Sequence, residues 1–135
     1  MGRVKRVCLI DDDHIFVYGA KRLMREVDFF DDLSVFNNGQ DALDHFQAPN
    51  QNTETLPSVI FLDLNMPVMN GWEFLDAFLN IPGISSSEIA IYIMSSSVDP
   101  RDLEKIQSHP YIKNYILKPL TTEDLEKLSE EISRI

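Results

Sequence analysis

Val59-Ile60-Phe61-Leu62-Asp63 is four apolar residues in a row closed by a carboxylate. A run that is apolar on both faces suits the centre of a sheet covered by helices on each side. The aspartate at its end is costly there unless something compensates its charge. Three other short runs end in the same way. Asp11 and Asp12 follow Val7-Cys8-Leu9-Ile10, Ser95 follows Ile91-Tyr92-Ile93-Met94, and Lys118 follows Tyr115-Ile116-Leu117. If these runs are neighbouring parallel strands, three carboxylates, a hydroxyl and an ammonium meet at one sheet edge. That combination suits a divalent cation and a phosphoryl group.

Between the runs lie segments of helical period, and this alternation is the mark of an α/β sheet. Five strands and five helices are expected. The first strand covers about 6–10, and Phe16, Ala20, Leu23 and Val27 recur as the apolar stripe of a following helix. A short strand at about 34–36 leads through Asn37-Asn38-Gly39 into a helix with Ala42, Leu43 and Phe46 inside. The polar stretch at about 47–57, with proline near both ends, reads as a long loop. Phe74, Leu75, Phe78 and Leu79 form the next stripe, with Trp72 assigned to helix packing, and 89–94 the next strand. Asp99-Pro100 opens a helix that stops before His109-Pro110. The last strand, about 114–117, precedes a helix begun by Thr121 with Asp124 in capping-box spacing, its buried face formed by Leu125, Leu128, Ile132 and Ile135.

The 135 residues are enough for one domain with its own core, so 1–135 reads as a single domain in which no output domain follows the last helix. With 44% hydrophobic and 25% charged residues the chain has a soluble composition. It has no apolar run near the roughly 20 residues of a membrane span and no signal peptide. The lone Cys8 sits in an apolar strand and reads as a small core residue in a reducing, cytoplasmic setting. A net charge of −10 disfavours nucleic acid, and the basic cluster Arg3, Lys5, Arg6 reads as a solvated strand entry.

In open α/β sheets ligands bind beyond the carboxyl ends of the strands, where strand order reverses. For the order 2-1-3-4-5 that point lies between the strands ending at Asp11/Asp12 and at Asp63. Clustered carboxylates hold their protons unless a cation compensates them. Mg2+ takes oxygen ligands and keeps several waters, so two or three carboxylates, a backbone carbonyl and a phosphate oxygen suffice. A carboxylate beside it can attack a phosphoryl group, with Lys118 and Ser95 serving the phosphoryl oxygens.

The motifs Leu9-Ile10-Asp11-Asp12-Asp13, Asp63-Leu64-Asn65-Met66-Pro67 with Asn70-Gly71, Met94-Ser95-Ser96 and Tyr115-Ile116-Leu117-Lys118-Pro119 resemble those of response regulator receiver domains. The resemblance spans nearly the whole chain. It implies a flavodoxin-like doubly wound fold of five parallel strands, with Asp63 as phosphoacceptor from a sensor histidine kinase or phosphotransfer protein. Asp11, Asp12 and Asp63 would hold Mg2+ with the Asn65 backbone carbonyl. Ser95 would be the switch hydroxyl, Tyr115 the switch aromatic, Lys118 the phosphate-binding lysine, and the Lys118-Pro119 peptide cis. Serine replaces the commoner threonine at 95, which keeps the hydroxyl and alters the switch equilibrium. Asn65 and Ser97 occupy positions that tune phosphoryl lifetime in the family.

Taken singly, each residue has a plainer reading. Asp11-Asp12-Asp13 alone is a solvated turn or helix cap, Ser95 a loop serine and Lys118 a solvated cation. His14, His45 and His109 have no metal-ligand spacing and read as surface or cap residues, with His14 near the site. Haloacid-dehalogenase-like phosphatases also use an aspartate nucleophile, a hydroxyl and a lysine. Their nucleophile precedes the acidic pair, and a second aspartate usually stands where Asn65 is found, which disfavours turnover of external substrates. The remaining alternative is a binding module indifferent to phosphorylation. The expectation is a stand-alone receiver that catalyses only its own phosphorylation and dephosphorylation and signals to a downstream protein.

Overall fold

The computed structural model describes residues 3–48, 56–84, 87–97 and 99–133. Strands and helices alternate throughout: β1 (Val4–Ile10), α1 (His14–Glu26), β2 (Phe30–Phe36), α2 (Gly39–Phe46), β3 (Val59–Asp63), α3 (Gly71–Leu79), β4 (Ala90–Ser95), α4 (Pro100–Ser108), β5 (Ile112–Leu117) and α5 (Thr122–Ser133). The strands form one parallel sheet in the order β2-β1-β3-β4-β5. This is the expected doubly wound architecture. Most of the long polar loop, residues 49–55, and Ile135 of the expected last stripe lie outside the described residues.

Alternation along the central strands divides the core in two. Cys8, Ile10, Ile60, Leu62, Ile91 and Ile93 face α2, α3 and α4, meeting Leu43, Phe46, Phe74, Phe78 and Ile106. The other parity, Val7, Leu9, Val59, Phe61, Tyr92 and Met94, meets Val17, Ala20 and Met24 of α1 and Leu125 and Leu128 of α5. Every residue of β3 and β4 is buried, because both faces are covered.

Three sequence expectations shift. The buried stripe of α1 is Val17, Ala20 and Met24; Phe16, Leu23 and Val27 flank it, half-buried. Both sets have helical spacing, and a one-residue rotation separates them. Strand β2 begins at Phe30 rather than near Ser34, since Phe30 and Asp32 pair with Val4 and Arg6 of β1 while the side chains of Asp31 and Asp32 stay exposed at the sheet edge. Strand β5 begins at Ile112, and a register shift opposite Ile91 and Tyr92 leaves Lys113 as an extra residue that masks the strand's alternation.

The caps follow their side chains. Asp13, Asn38, Asn70 and Asp99 each accept backbone N–H bonds from the first turn of α1, α2, α3 and α4. At α5, Thr121 Oγ1 accepts from the Asp124 N–H at 3.2 Å and Asp124 Oδ2 from the Thr121 N–H at 3.0 Å. The aspartate thus closes a reciprocal box where glutamate is commoner. Among the described residues no helix is long and apolar enough to cross a membrane.

Candidate functional site

Parallel strands with helices on both faces leave their carboxyl ends as a crevice, and the register brings chemistry to it. Leu62 pairs with Ile10, Asp63 with Met94 and Ser95 with Leu117, so the residues closing β1, β3, β4 and β5 stand side by side. Carboxylate oxygens of Asp11, Asp12 and Asp63 all lie within 4.8 Å of one another. Asp11 is fully buried, Asp63 buried, and Asp12 half-buried.

Each carboxylate is held from a different direction. Asp11 Oδ1 accepts the Asp13 N–H at 2.9 Å, while the Asp13 side chain caps α1. The plain reading of the aspartate run as a helix cap therefore holds at Asp13, while Asp11 and Asp12 turn their carboxylates toward Asp63. Asp63 Oδ1 accepts the N–H of exposed Asn65 at 3.3 Å. The Lys118 ammonium lies 2.8 Å from Asp11 Oδ2 and 3.9 Å from Asp63 Oδ2. The peptide bond between Lys118 and Pro119 is cis. The Lys118 N–H donates to the Ser95 carbonyl at 2.9 Å, tying the ends of β4 and β5 together.

One monocation against three carboxylates leaves the cluster short of positive charge. Burial, reinforced by the neighbouring charges of Asp11 and Asp12, pushes the Asp63 carboxyl up to about 7, against the opposing pull of Lys118 and the Asn65 N–H. Among the described residues Asp11 Oδ2 is buried with no hydrogen-bond partner, and its one counter-charge at close range is the Lys118 ammonium at 2.8 Å. A buried carboxylate oxygen that no hydrogen bond satisfies, facing two further carboxylates, fits a hard cation with oxygen ligands such as Mg2+.

The Ser95 side chain is buried, and its hydroxyl donates to the Ser97 carbonyl and accepts the Ser97 N–H at 3.3 Å. Tyr115 is half-buried, paired with Ile93 and packed on the α2/α3/α4 side of the core. It lines one open depression with Lys118, Pro119 and Thr121. Of the three histidines, His14 is the exposed first residue of α1, His109 caps α4, and His45 packs 5.2 Å from each of the Phe36 and Phe46 rings.

Sequence reasoning did not assign functional parts to two residues here. Gly71 opens α3, and a Cβ at that position would stand 2.7 Å from the Asp63 carbonyl oxygen and 2.9 Å from Leu64 Cα. The Gly71 N–H donates to the Leu64 carbonyl at 2.9 Å, so helix and strand meet where only hydrogen fits. Phe16, expected in the buried stripe of α1, places its ring 4.4 Å from the Lys118 ammonium. No spacing rule connects positions 102 residues apart, but the glycine was visible in the Asn70-Gly71 pair.

A model of the response regulator receiver domain matches residues 7–130. The chain belongs to that family. A receiver of this family is a phosphorylation-controlled module of two-component signalling. The receiver is similar to the probable methanogenesis regulatory protein FilR2 of Methanothrix harundinacea, 25% identical over 126 residues that make up 93% of this chain and 79% of that protein. It covers 29% and 48% of two other curated relatives, so those proteins extend well beyond the match. A two-component response regulator from Cytophaga hutchinsonii has the same fold at a TM-score of 0.89, with 28% identity and coverage of 99% and 100% of the two chains. A response regulator receiver protein from Dyadobacter fermentans follows at 0.81 and 28%, covering 96% and 98%.

Proposed function

We propose that Asp63 is the phosphoacceptor of this receiver, supplied by a histidine kinase or phosphotransfer protein, and that Ser95 and Tyr115 carry the result to a protein partner. The observation that carries this reading is the buried Asp63 carboxylate, set between two further carboxylates with the Lys118 ammonium 3.9 Å away. Asp11, Asp12 and Asp63, with the Asn65 carbonyl, are the residues to hold Mg2+. When bound, the ion offsets charge on the carboxylates and on the phosphoryl oxygens.

In the transfer a carboxylate oxygen of Asp63 bonds to phosphorus while the bond from phosphorus to the donor breaks, its electron pair leaving with the donor. No general base is needed, because the ionised carboxylate carries no proton. Lys118 supplies a point charge to one phosphoryl oxygen and must shift from Asp11 to do so. Ser95 supplies a hydroxyl to another and must give up its bond to the Ser97 carbonyl. That exchange supports a switch, since Ser97 lies in the loop between β4 and α4, and movement of Ser95 opens space on the side of β5 where Tyr115 packs.

Exposed Ile15 on α1, Val68 between β3 and α3, and Leu117 at the end of β5 border the crevice, and suit a donor protein that lays an apolar surface over it. The charge of −10 and the buried single cysteine suit a cytoplasmic protein that works on proteins and not on nucleic acid. It turns over no external substrate. The test is intact-mass analysis after incubation with acetyl phosphate and Mg2+. One phosphoryl group is expected on the wild type and none on Asp63→Asn, and equal labelling of the two would overturn the assignment.

A further inference from the structure

We infer that Phe16 is a positioning residue for Lys118, its ring holding the ammonium over the crevice while the ammonium exchanges one anionic partner for another. The inference rests on the proposed role of Asp63. The Lys118 side chain is 14% exposed, and among the described residues its ammonium meets Asp11 Oδ2 at 2.8 Å, Asp63 Oδ2 at 3.9 Å and the Phe16 ring at 4.4 Å. The first two are anions whose hold changes with the state of the site. The third is constant.

A ring face attracts a cation through its quadrupole, most strongly where water is excluded, and with little directional demand. The ammonium can therefore move from Asp11 toward a phosphoryl group on Asp63 without losing the ring. An aliphatic side chain at position 16 could exclude water but not provide that attraction.

The ring is itself fixed to the site. The Phe16 N–H donates to the Asp13 carboxylate at 3.1 Å, and the Asp13 N–H donates to Asp11 Oδ1 at 2.9 Å. One turn of α1 thus links the buried Asp11 carboxylate to the ring that faces its counter-ion. Phe16 is half-buried because Val17, Ala20 and Met24 take the core face, leaving Phe16 at the flank where its ring meets the Lys118 ammonium.

The experiment is a double-mutant cycle on beryllofluoride affinity, with Mg2+ present, using Phe16→Leu, Lys118→Met and the double variant. Phe16→Leu is expected to weaken binding three- to tenfold in the wild type and less than twofold in Lys118→Met, with Phe16→Tyr restoring affinity. Equal losses in both backgrounds would overturn the inference, since a ring that acts only through packing does not need the ammonium. A second readout is independent of phosphoryl chemistry. The Lys118 Hε protons are expected upfield in the wild type from the ring current and at ordinary shifts in Phe16→Leu, and unshifted wild-type protons would also overturn it. If the upfield shift is present and the wild type ignores beryllofluoride, the reading of Asp63 fails and the role of Phe16 falls with it.

Discussion

At the scale of single residues, the account turns on charge that is buried without full compensation. Burial and the neighbouring Asp11 and Asp12 carboxylates push the Asp63 carboxyl up to about 7, well above the ordinary value it has when unfolded. Between those two values the folded state binds the extra proton, so this group makes stability fall as pH rises from about 4 to about 7, with the loss complete above that window. Asp63→Asn is therefore expected to stabilise the metal-free protein at pH 8, by on the order of 2 kcal/mol once solvent screening at the open crevice has taken about half of the full linkage value, and to leave it nearly unchanged at pH 4. Urea melts at the two pH values check this, and Mg2+ should narrow the gap at pH 8. Gly71 makes the opposite prediction. A Cβ 2.7 Å from a backbone oxygen has no flexible neighbour to displace, so Gly71→Ala should cost about 2–3 kcal/mol and weaken Mg2+ binding through displacement of the Asp63 strand end.

At the scale of elements, what the sequence disclosed depended on how many neighbours an element has. The fully buried runs of β3 and β4 were readable almost to the residue, because a strand covered on both faces has little choice of side chain. Strand β2 was not, since an edge strand with exposed Asp31 and Asp32 looks like a loop in composition. The α1 stripe was misplaced by one residue because two apolar sets share the helical period, and only the packed partners separate them. Contacts between elements were the least visible. Trp72 of α3 donates from Nε1 to Asp102 Oδ1 of α4 at 3.1 Å, and the Lys105 ammonium lies 4.3 Å from its ring. Trp72→Phe should lower stability by about 1 kcal/mol, read by circular dichroism in urea, and Asp102→Ala should reproduce most of that loss. Thr121→Ala, which opens the reciprocal cap of α5, should cost about 1 kcal/mol by the same measurement.

At the scale of the whole molecule, the site is a consequence of sheet order. The reversal between β1 and β3 places Asp11, Asp12 and Asp63 in one crevice, and β4 and β5 add Ser95 and Lys118 in register beside them. The carboxylates, hydroxyl and ammonium were readable because each follows an apolar run directly; the Asn70-Gly71 pair marked the glycine without showing the close approach it allows, and nothing in the sequence links Phe16 to Lys118. The same order supports the proposed route outward, since Ser95 bonds the loop leading to α4 while Tyr115 lies one strand away. The most direct measurement of this account is the amide spectrum of the labelled chain with Mg2+, before and after beryllofluoride. The account predicts shifts at Asp63, Ser95, Ser97 and Tyr115 in the wild type and none of them in Asp63→Asn. Shifts confined to the acidic cluster, or shifts that persist in Asp63→Asn, would contradict it.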